Sequence, residues 1–201
     1  MTEYYYTPNP DVKHQEQSWN FDLLGNQFTF TTDNGVFSKR TVDYGSRVLI
    51  SNVAISELPA GPVLDLGCGY GPIGLALAKK HPDRQFTMVD VNNLALHLAD
   101  LNARQNHVDN VTIQNSDGYQ SITDHFAAII TNPPVRAGKE VVDNMITGAY
   151  EHLIDLGRLT VVLQKKQGAP SAKKLMTTTF GNCKVLKRDK GYYILESTKR
   201  A

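Results

Sequence analysis

The chain has 201 residues, enough for one ordinary domain with a substantial core, and its 41% hydrophobic and 20% charged composition is neither disordered nor fibrous. No apolar stretch approaches the roughly 20 residues that cross a bilayer. The start MTEYYYTPNPDVKHQEQ has neither a basic opening nor the apolar run of a signal peptide, and Cys68 and Cys183 form no disulfide framework or zinc pattern. A reducing cytoplasm without membrane attachment is the expected setting. The net charge of +1 hides an asymmetry: residues 1–164 hold 11 Lys/Arg against 18 Asp/Glu, and residues 165–201 hold 10 against 2. Such a basic end suits a polyanion, or is a solvated face.

In chain order, residues 1–58 read as an N-terminal extension and 59–201 as the main domain. Tyr4, Tyr5 and Tyr6 suit base stacking, or a tail that is flexible or docked. The segment QFTFTTDNGVFSKRTVD (27–43), with Phe28 and Phe30 alternating, predicts a hairpin turning at Asp33-Asn34-Gly35. SRVLISNVAISEL (46–58) predicts a helix leading through Pro59-Ala60-Gly61 to a first central strand. From there PVLDL (62–66), FTMVD (86–90), VTIQN (111–115), AAIIT (127–131) and LTVVLQ (159–164) read as strands buried on both faces. Helical spacing covers 71–80, 93–105, 139–154 and 169–180 between them. Repeated strand–helix units predict an α/β, doubly wound parallel sheet. CKVLKR (183–188) and YYILES (192–197), parted only by Asp189-Lys190-Gly191, predict a closing antiparallel hairpin.

The run Val63-Leu64-Asp65-Leu66-Gly67-Cys68-Gly69-Tyr70-Gly71-Pro72-Ile73-Gly74 follows a strand and opens a helix. Its glycines allow a sharp turn and close approach of a ligand, and the helix start behind them is expected to offer free N–H groups. Gly69-x-Gly71-x-x-Gly74 also satisfies the dinucleotide fingerprint, which alone is a weak signal. Asp65 would repel a pyrophosphate but suits the cationic amino group of S-adenosylmethionine, directly or through water. Asp90 closes the next strand 25 residues later, where an acid can accept both ribose hydroxyls or cap the helix at 93–105. Asp117, after the third strand, suits the adenine amine, or is simply an Asp-Gly turn with Gly118.

Thr131-Asn132-Pro133-Pro134 ends the fourth strand. Its prolines fix the backbone and remove donors, so the Asn132 side chain and the Pro133 carbonyl present two acceptors to one spot. Alone, Asn-Pro-Pro is often just a turn. Downstream of the glycine loop, it suits a planar –NH2 group held for in-line attack on a sulfonium methyl, where positioning supplies much of the rate. The six histidines (14, 81, 97, 107, 125, 152) lack ligand spacing, so no metal is expected.

VLDLGCGYGPIG (63–74), MVDVN (88–92), NSDGY (115–119) and TNPP (131–134), in this order, resemble class I S-adenosylmethionine-dependent methyltransferases acting on planar amines. With GVFS (35–38), VDYGSRVL (42–49), QKKQGA (164–169) and GYY (191–193), the chain is similar to the small-subunit (16S) ribosomal RNA guanine-N2 methyltransferase family from about residue 20 to its end. The resemblance implies a Rossmann-like, seven-stranded, mostly parallel sheet. It implies S-adenosylmethionine as donor, S-adenosylhomocysteine as product, and a guanine N2 in ribosomal RNA or the small subunit as acceptor. By matching position Asp65, Gly67, Gly69 and Gly71 line the donor site, with Cys68, Val91, Gly118 and Asn132 beside them. Asp90 takes the ribose, Asp117 the adenine, and Asn132 with Pro133 the target amine.

The chain departs from the pattern in two places. Val135 stands where an aromatic usually follows Asn-Pro-Pro, leaving Phe37 or Tyr70 to stack on the base. Only about 60 residues precede the core, where longer members carry a duplicated domain. Pro134, Val135, Arg136 and Lys139 border the expected acceptor pocket. Arg136 and Lys139 suit RNA phosphates or merely flank a helix; Lys165 and Lys166 suit the RNA backbone. A structured guanine must be turned out of its stack to reach such a pocket. The expected protein is a monomer or weak homodimer. Rival readings are a protein glutamine N5-methyltransferase, an NAD-dependent dehydrogenase and a non-catalytic RNA-binding module.

Overall fold

The computed structural model describes residues 6–11 and 13–200, so Tyr4 and Tyr5 lie outside it. Along the chain run β1 (Gln17–Leu23), β2 (Asn26–Thr32), α1 (Tyr44–Ile50), β3 (Val63–Leu66), α2 (Pro72–Lys80), β4 (Phe86–Asp90), α3 (Asn93–Gln105) and β5 (Val111–Asn115). Then follow β6 (Phe126–Thr131), α4 (Lys139–His152), β7 (Leu153–Gln164), α5 (Ala169–Phe180), β8 (Lys184–Asp189) and β9 (Tyr192–Thr198). β3 to β9 form one seven-stranded sheet in the order β5-β4-β3-β6-β7-β9-β8, with β9 alone running against its neighbours. This is the Rossmann-like sheet with a closing antiparallel hairpin that the sequence predicts.

Continuous apolar runs form the central strands because both faces are covered. All six residues of β6 are buried. Val63, Met88, Ala128 and Ile130 meet α2, α3 and the N-terminal hairpin on one side. Leu64, Leu66, Val89 and Ile129 meet α4 and α5 on the other. The winding reverses between β3 and β6: β4 and β5 extend one way from β3, β6 and β7 the other. A crevice opens where strand order reverses, at the carboxyl ends of those two strands, and ligands of open α/β sheets bind there.

The extension departs from expectation twice. The hairpin turns at Leu24-Gly25, not at 33–35: Gln17 pairs with Thr32 and Leu23 with Asn26, and Leu24 and Gly25 take φ of 52° and 80°. Positive φ at both central residues is the twist-matched geometry for a two-residue hairpin. Asp33 has another role, its carboxylate accepting the Gln15 and Asn34 N–H groups at 2.6 Å each and His14 Nδ1 at 2.7 Å. The helix expected over 46–58 is broken. It ends at Ile50, where Ser51 Oγ and Asn52 Nδ2 donate back to the carbonyls of Arg47 and Val48, and only a short 3-10 turn, Ile55–Glu57, follows. Side chains of this kind compete with the backbone for helix carbonyls. β7 also starts earlier than Leu159, running directly out of α4 through an irregularity opposite Phe126 and Ala128.

The hairpin is docked by two asparagines of α3. Asn102 Oδ1 accepts the Thr31 N–H at 2.7 Å and its Nδ2 donates to the Thr31 carbonyl at 3.0 Å. Asn106 does the same for Thr29, at 2.8 and 2.7 Å. One helical turn of four residues rises about 6 Å and two strand residues about 6.8 Å. The two amides therefore act as a further strand along the outer edge of β2. Asn102 is fully buried and also donates to the Tyr70 carbonyl at 2.9 Å. Its truncation leaves several buried polar groups without partners, each costing on the order of 1–3 kcal/mol. Asn102→Ala is expected to lower unfolding free energy by about 3 kcal/mol in urea titration; a loss no larger than that of an exposed-residue control would refute the clamp.

Candidate functional site

The crevice between β3 and β6 widens into a cavity of about 340 Å³. Its floor is the glycine loop, its sides the ends of β4 and β6, and its roof residues 36–38, Asp43, Ser46 and Tyr192. Gly67, Gly69 and Gly71 all have positive φ (76°, 57° and 98°), the left-handed turn that only glycine adopts without strain.

The loop's donors are already engaged. Gly67 and Cys68 N–H both donate to the Val89 carbonyl at 2.9 Å, and Gly69 N–H donates to Asp90 Oδ2 at 2.8 Å. At the start of α2, Gly74 N–H donates to Asp65 Oδ2 at 2.8 Å, so the helix start already faces a carboxylate. That corrects the expectation of free N–H groups there. A pyrophosphate would meet two carboxylates and few donors, whereas a sulfonium ligand with an ammonium group meets the charge it needs.

Asp65 is buried beneath the loop rather than on the cavity wall, and its Oδ1 is buried without a hydrogen-bond partner. Burial, helped by nearby Asp90 and opposed by the Gly74 N–H, pushes its carboxyl from the usual 3.8 up to about 7. Asp90 does reach the wall. Its Oδ1 accepts the Asn92 N–H at 2.9 Å, and burial again raises its carboxyl, against the pull of those N–H donors. The helix cap belongs to Asn92 instead, whose side chain accepts from Leu94 and Ala95 N–H. Val91, Gly118 and Cys68 also line the cavity; burial keeps the Cys68 thiol protonated. Gly71 is set back as the left-handed residue before α2. Asp117 stands exposed at the rim, its carbonyl closing a turn to Gln120 and its Oδ1 3.4 Å from the Tyr6 hydroxyl.

Asn132 ends β6 on the opposite wall. Its Nδ2 donates to Asp43 Oδ2 and to Ser46 Oγ, both at 3.0 Å. An ionised carboxylate can only accept, so this contact fixes which end of the amide is nitrogen and leaves Oδ1 for another donor. The Pro133 carbonyl accepts the Val135 N–H at 2.9 Å across Pro134, whose φ of −75° and ψ of 79° make an inverse γ-turn. A carbonyl oxygen has two lone pairs, so this bond leaves capacity for a second donor, and Pro133 lines the cavity. Pro134, Val135 and Arg136 continue the wall, with Arg136 exposed.

The three lysines expected at the acceptor pocket are not on the cavity wall. Lys139 begins α4 and pairs with Asp143, off the wall. Lys165 and Lys166 are exposed in the turn after β7, while their neighbours Gln164 and Gln167 line the cavity. Of the two stacking candidates, Tyr70 is 3% exposed, packed edge-on against Trp19 and Phe30, with its hydroxyl donating to the carbonyls of Ser38 and Thr41. Phe37 is 49% exposed at the cavity mouth. Sequence reading assigned no role to Asp43 and Ser46, although Asp-x-x-Ser is a recognisable capping pattern: Asp43 caps α1 through Ser46 N–H at 3.1 Å. Tyr6 also lines the cavity, its hydroxyl pushed up to about 12 by burial and by the Asp117 charge.

Residues 27–196 match the family described as methyltransferase small domain, and the chain belongs to that family. It is 48% identical to a Bacillus subtilis (strain 168) protein called uncharacterized protein YbxB, over 99% of this chain and all of that one. It is 29% identical to ribosomal RNA small subunit methyltransferase C of Ectopseudomonas mendocina (strain ymp), over 94% of this chain and 57% of that one. Among solved structures it resembles the T. thermophilus 16S rRNA N2 G1207 methyltransferase (RsmC) in complex with AdoMet and guanosine. The TM-score there is 0.84 at 25% identity, covering 95% of this chain and 52% of that one. The chain thus spans about half the length of these named ribosomal RNA methyltransferases. The protein is a class I methyltransferase that uses S-adenosylmethionine, and the unpartnered Asp65 oxygen, the glycine turn and the acid at Asp90 fit that donor. Among the described residues, no His/Cys/Asp/Glu group is arranged to hold a metal, and no helix is long and apolar enough to cross a membrane.

A carboxyl whose folded pKa is raised binds its proton more tightly folded than unfolded, so stability falls as pH rises between the two values. The ligand-free protein is therefore expected to lose thermal stability from about pH 4 to about pH 7, and Asp65→Asn to flatten much of that fall. Melting curves across this range check it; an Asp65→Asn profile parallel to the parent's would overturn the assignment.

Proposed function

We propose that the protein transfers a methyl group from S-adenosylmethionine to the exocyclic N2 amine of a guanine in small-subunit ribosomal RNA. The observation that carries this reading is the orientation of Asn132, whose nitrogen is tethered to Asp43 and Ser46 so that its oxygen is left for an amine. The likeness to proteins named for that reaction supports the choice of guanine.

When bound, S-adenosylmethionine supplies a methyl group on a cationic sulfur and departs as neutral S-adenosylhomocysteine. We assign the donor to the glycine loop, with Asp65 balancing its ammonium through water, Asp90 accepting the ribose hydroxyls, and Ser116 and Gly118 flanking the adenine. Asn132 Oδ1 and the Pro133 carbonyl would accept hydrogen bonds from the two N2–H groups and so draw the lone pair out of the ring. The amine gains the methyl and gives up one proton to water. No strong base is needed, because the methyl is already activated and placement supplies the acceleration. Phe37 covers the base at the cavity mouth.

Arg136, Lys165 and Lys166 would hold phosphates around the extruded nucleotide, and exposed Lys173, Lys174, Lys184 and Lys187 extend the basic surface. Lys139, paired with Asp143, contributes least.

Labelled S-adenosylmethionine mixed with 16S ribosomal RNA or small subunits should yield N2-methylguanosine on nucleoside digestion; label only in protein would overturn the reading. Asn132→Ala should lower kcat at least about 100-fold with donor affinity retained, and undiminished turnover would refute its role. Replacing Lys165 and Lys166 by alanine should reduce the salt slope of RNA binding by about two. An unchanged slope would remove them from the interface.

A further inference from the structure

Asp43 is half-buried on the cavity wall beside Asn132, and its two carboxylate oxygens are used unequally. Oδ2 accepts both the Asn132 amide at 3.0 Å and the Ser46 N–H at 3.1 Å. Helix capping and the tether of Asn132 are thus both met by one oxygen. Oδ1 has no hydrogen bond among the described residues, and no lysine, arginine or histidine forms an ion pair with the carboxylate.

We propose that Asp43 Oδ1 accepts the N1–H of the acceptor base and so makes the pocket specific for guanine; this rests on guanine N2 being the acceptor. In guanine N1–H and the N2 amine are adjacent donors on one edge. Asn132 Oδ1 and Asp43 Oδ1 are acceptors on two side chains that already touch. A base held by Asn132 through its exocyclic amine brings the neighbouring ring nitrogen to Asp43. In adenine and cytosine the ring nitrogen next to the amine carries a lone pair instead of a hydrogen. That lone pair would face a carboxylate oxygen that no other described residue satisfies. Sites built to receive a substrate N–H reject analogues lacking it strongly, because the buried acceptor is left unpaired. Asn132 alone would accept any planar amine, so Asp43 supplies the discrimination that the Asn-Pro-Pro lacks.

2-Aminopurine separates the two interactions: it keeps the 2-amine but has a lone pair at N1. The enzyme is first run on 16S ribosomal RNA and the methylated guanine mapped. Absence of N2-methylguanosine at this stage would sink the proposed function itself. Synthetic RNA carrying guanine or 2-aminopurine at the mapped position is then compared. The parent enzyme should prefer guanine by at least about 100-fold in kcat/KM, and a ratio near one would overturn the proposal without any variant. Asp43→Asn keeps a good helix cap and the bulk of the side chain while adding an N–H that can donate to the 2-aminopurine lone pair. It should shrink the preference at least tenfold. Ser46→Ala, which loosens Asn132 alone, should lower both rates together and leave their ratio. An Asp43→Asn enzyme that slows on both substrates by the same factor would make Asp43 a positioning residue and overturn its role in base selection.

Discussion

Asn102 and Asn106 hold the outer edge of β2, and the acceptor side of the cavity depends on that grip. The hairpin carries the chain into residues 33–43, which cross the mouth of the crevice before α1 begins. The path that brings Asp43 to Asn132 is held at two points: at the hairpin by the two asparagines, and midway by the Tyr70 hydroxyl under Ser38 and Thr41. Tyr70 belongs to the glycine loop itself, and Asn102 donates to its carbonyl. The glycine-loop floor, the docking helix and the cavity roof are therefore one hydrogen-bonded assembly, not a core with an appendage.

Within that assembly the glycine loop is organised around negative charge. Three successive N–H groups and the first turn of α2 face Val89, Asp90 and Asp65, so the loop presents little to an anion. The same strand–loop–helix that cradles pyrophosphate in other proteins is here closed to it by two carboxylates. Burial holds both acids toward their neutral forms, a cost that a cationic ligand offsets on arrival.

Much of this could be read from the residues. The central strands are legible because burial on both faces writes them as unbroken apolar runs, and Asp65, Asp90 and Asn132 because each stands at or near a strand end, where topology puts ligands. The N-terminal region misleads for local reasons. Asp33-Asn34-Gly35 has the composition of a hairpin turn, yet Asp33 is used to knot the chain back to Gln15, and the true turn places Leu24 in a conformation leucine rarely adopts. The apolar spacing of 46–58 outlasts the helix because Ser51 and Asn52 stop it from outside the pattern. Asp43 carries a capping signal but no sign of its partner, since the contact to Asn132 joins residues 89 apart. Lys139 shows the converse: Arg136, three residues before it, lines the cavity, while a carboxylate one turn along its own helix draws Lys139 away.

The basic end of the chain has a second effect. Among the described residues β8 is the outermost strand on its side of the sheet, and Lys184, Lys187 and Arg188 stand exposed along it. An uncovered strand edge invites a second copy to add its own, and a row of like charges opposes that approach. The strip that suits a phosphate backbone thus also works against edge-to-edge pairing of two sheets. Both effects would be electrostatic and would fade within the same ionic-strength range, so salt that weakens the pull on a polyanion also weakens the repulsion between two such edges.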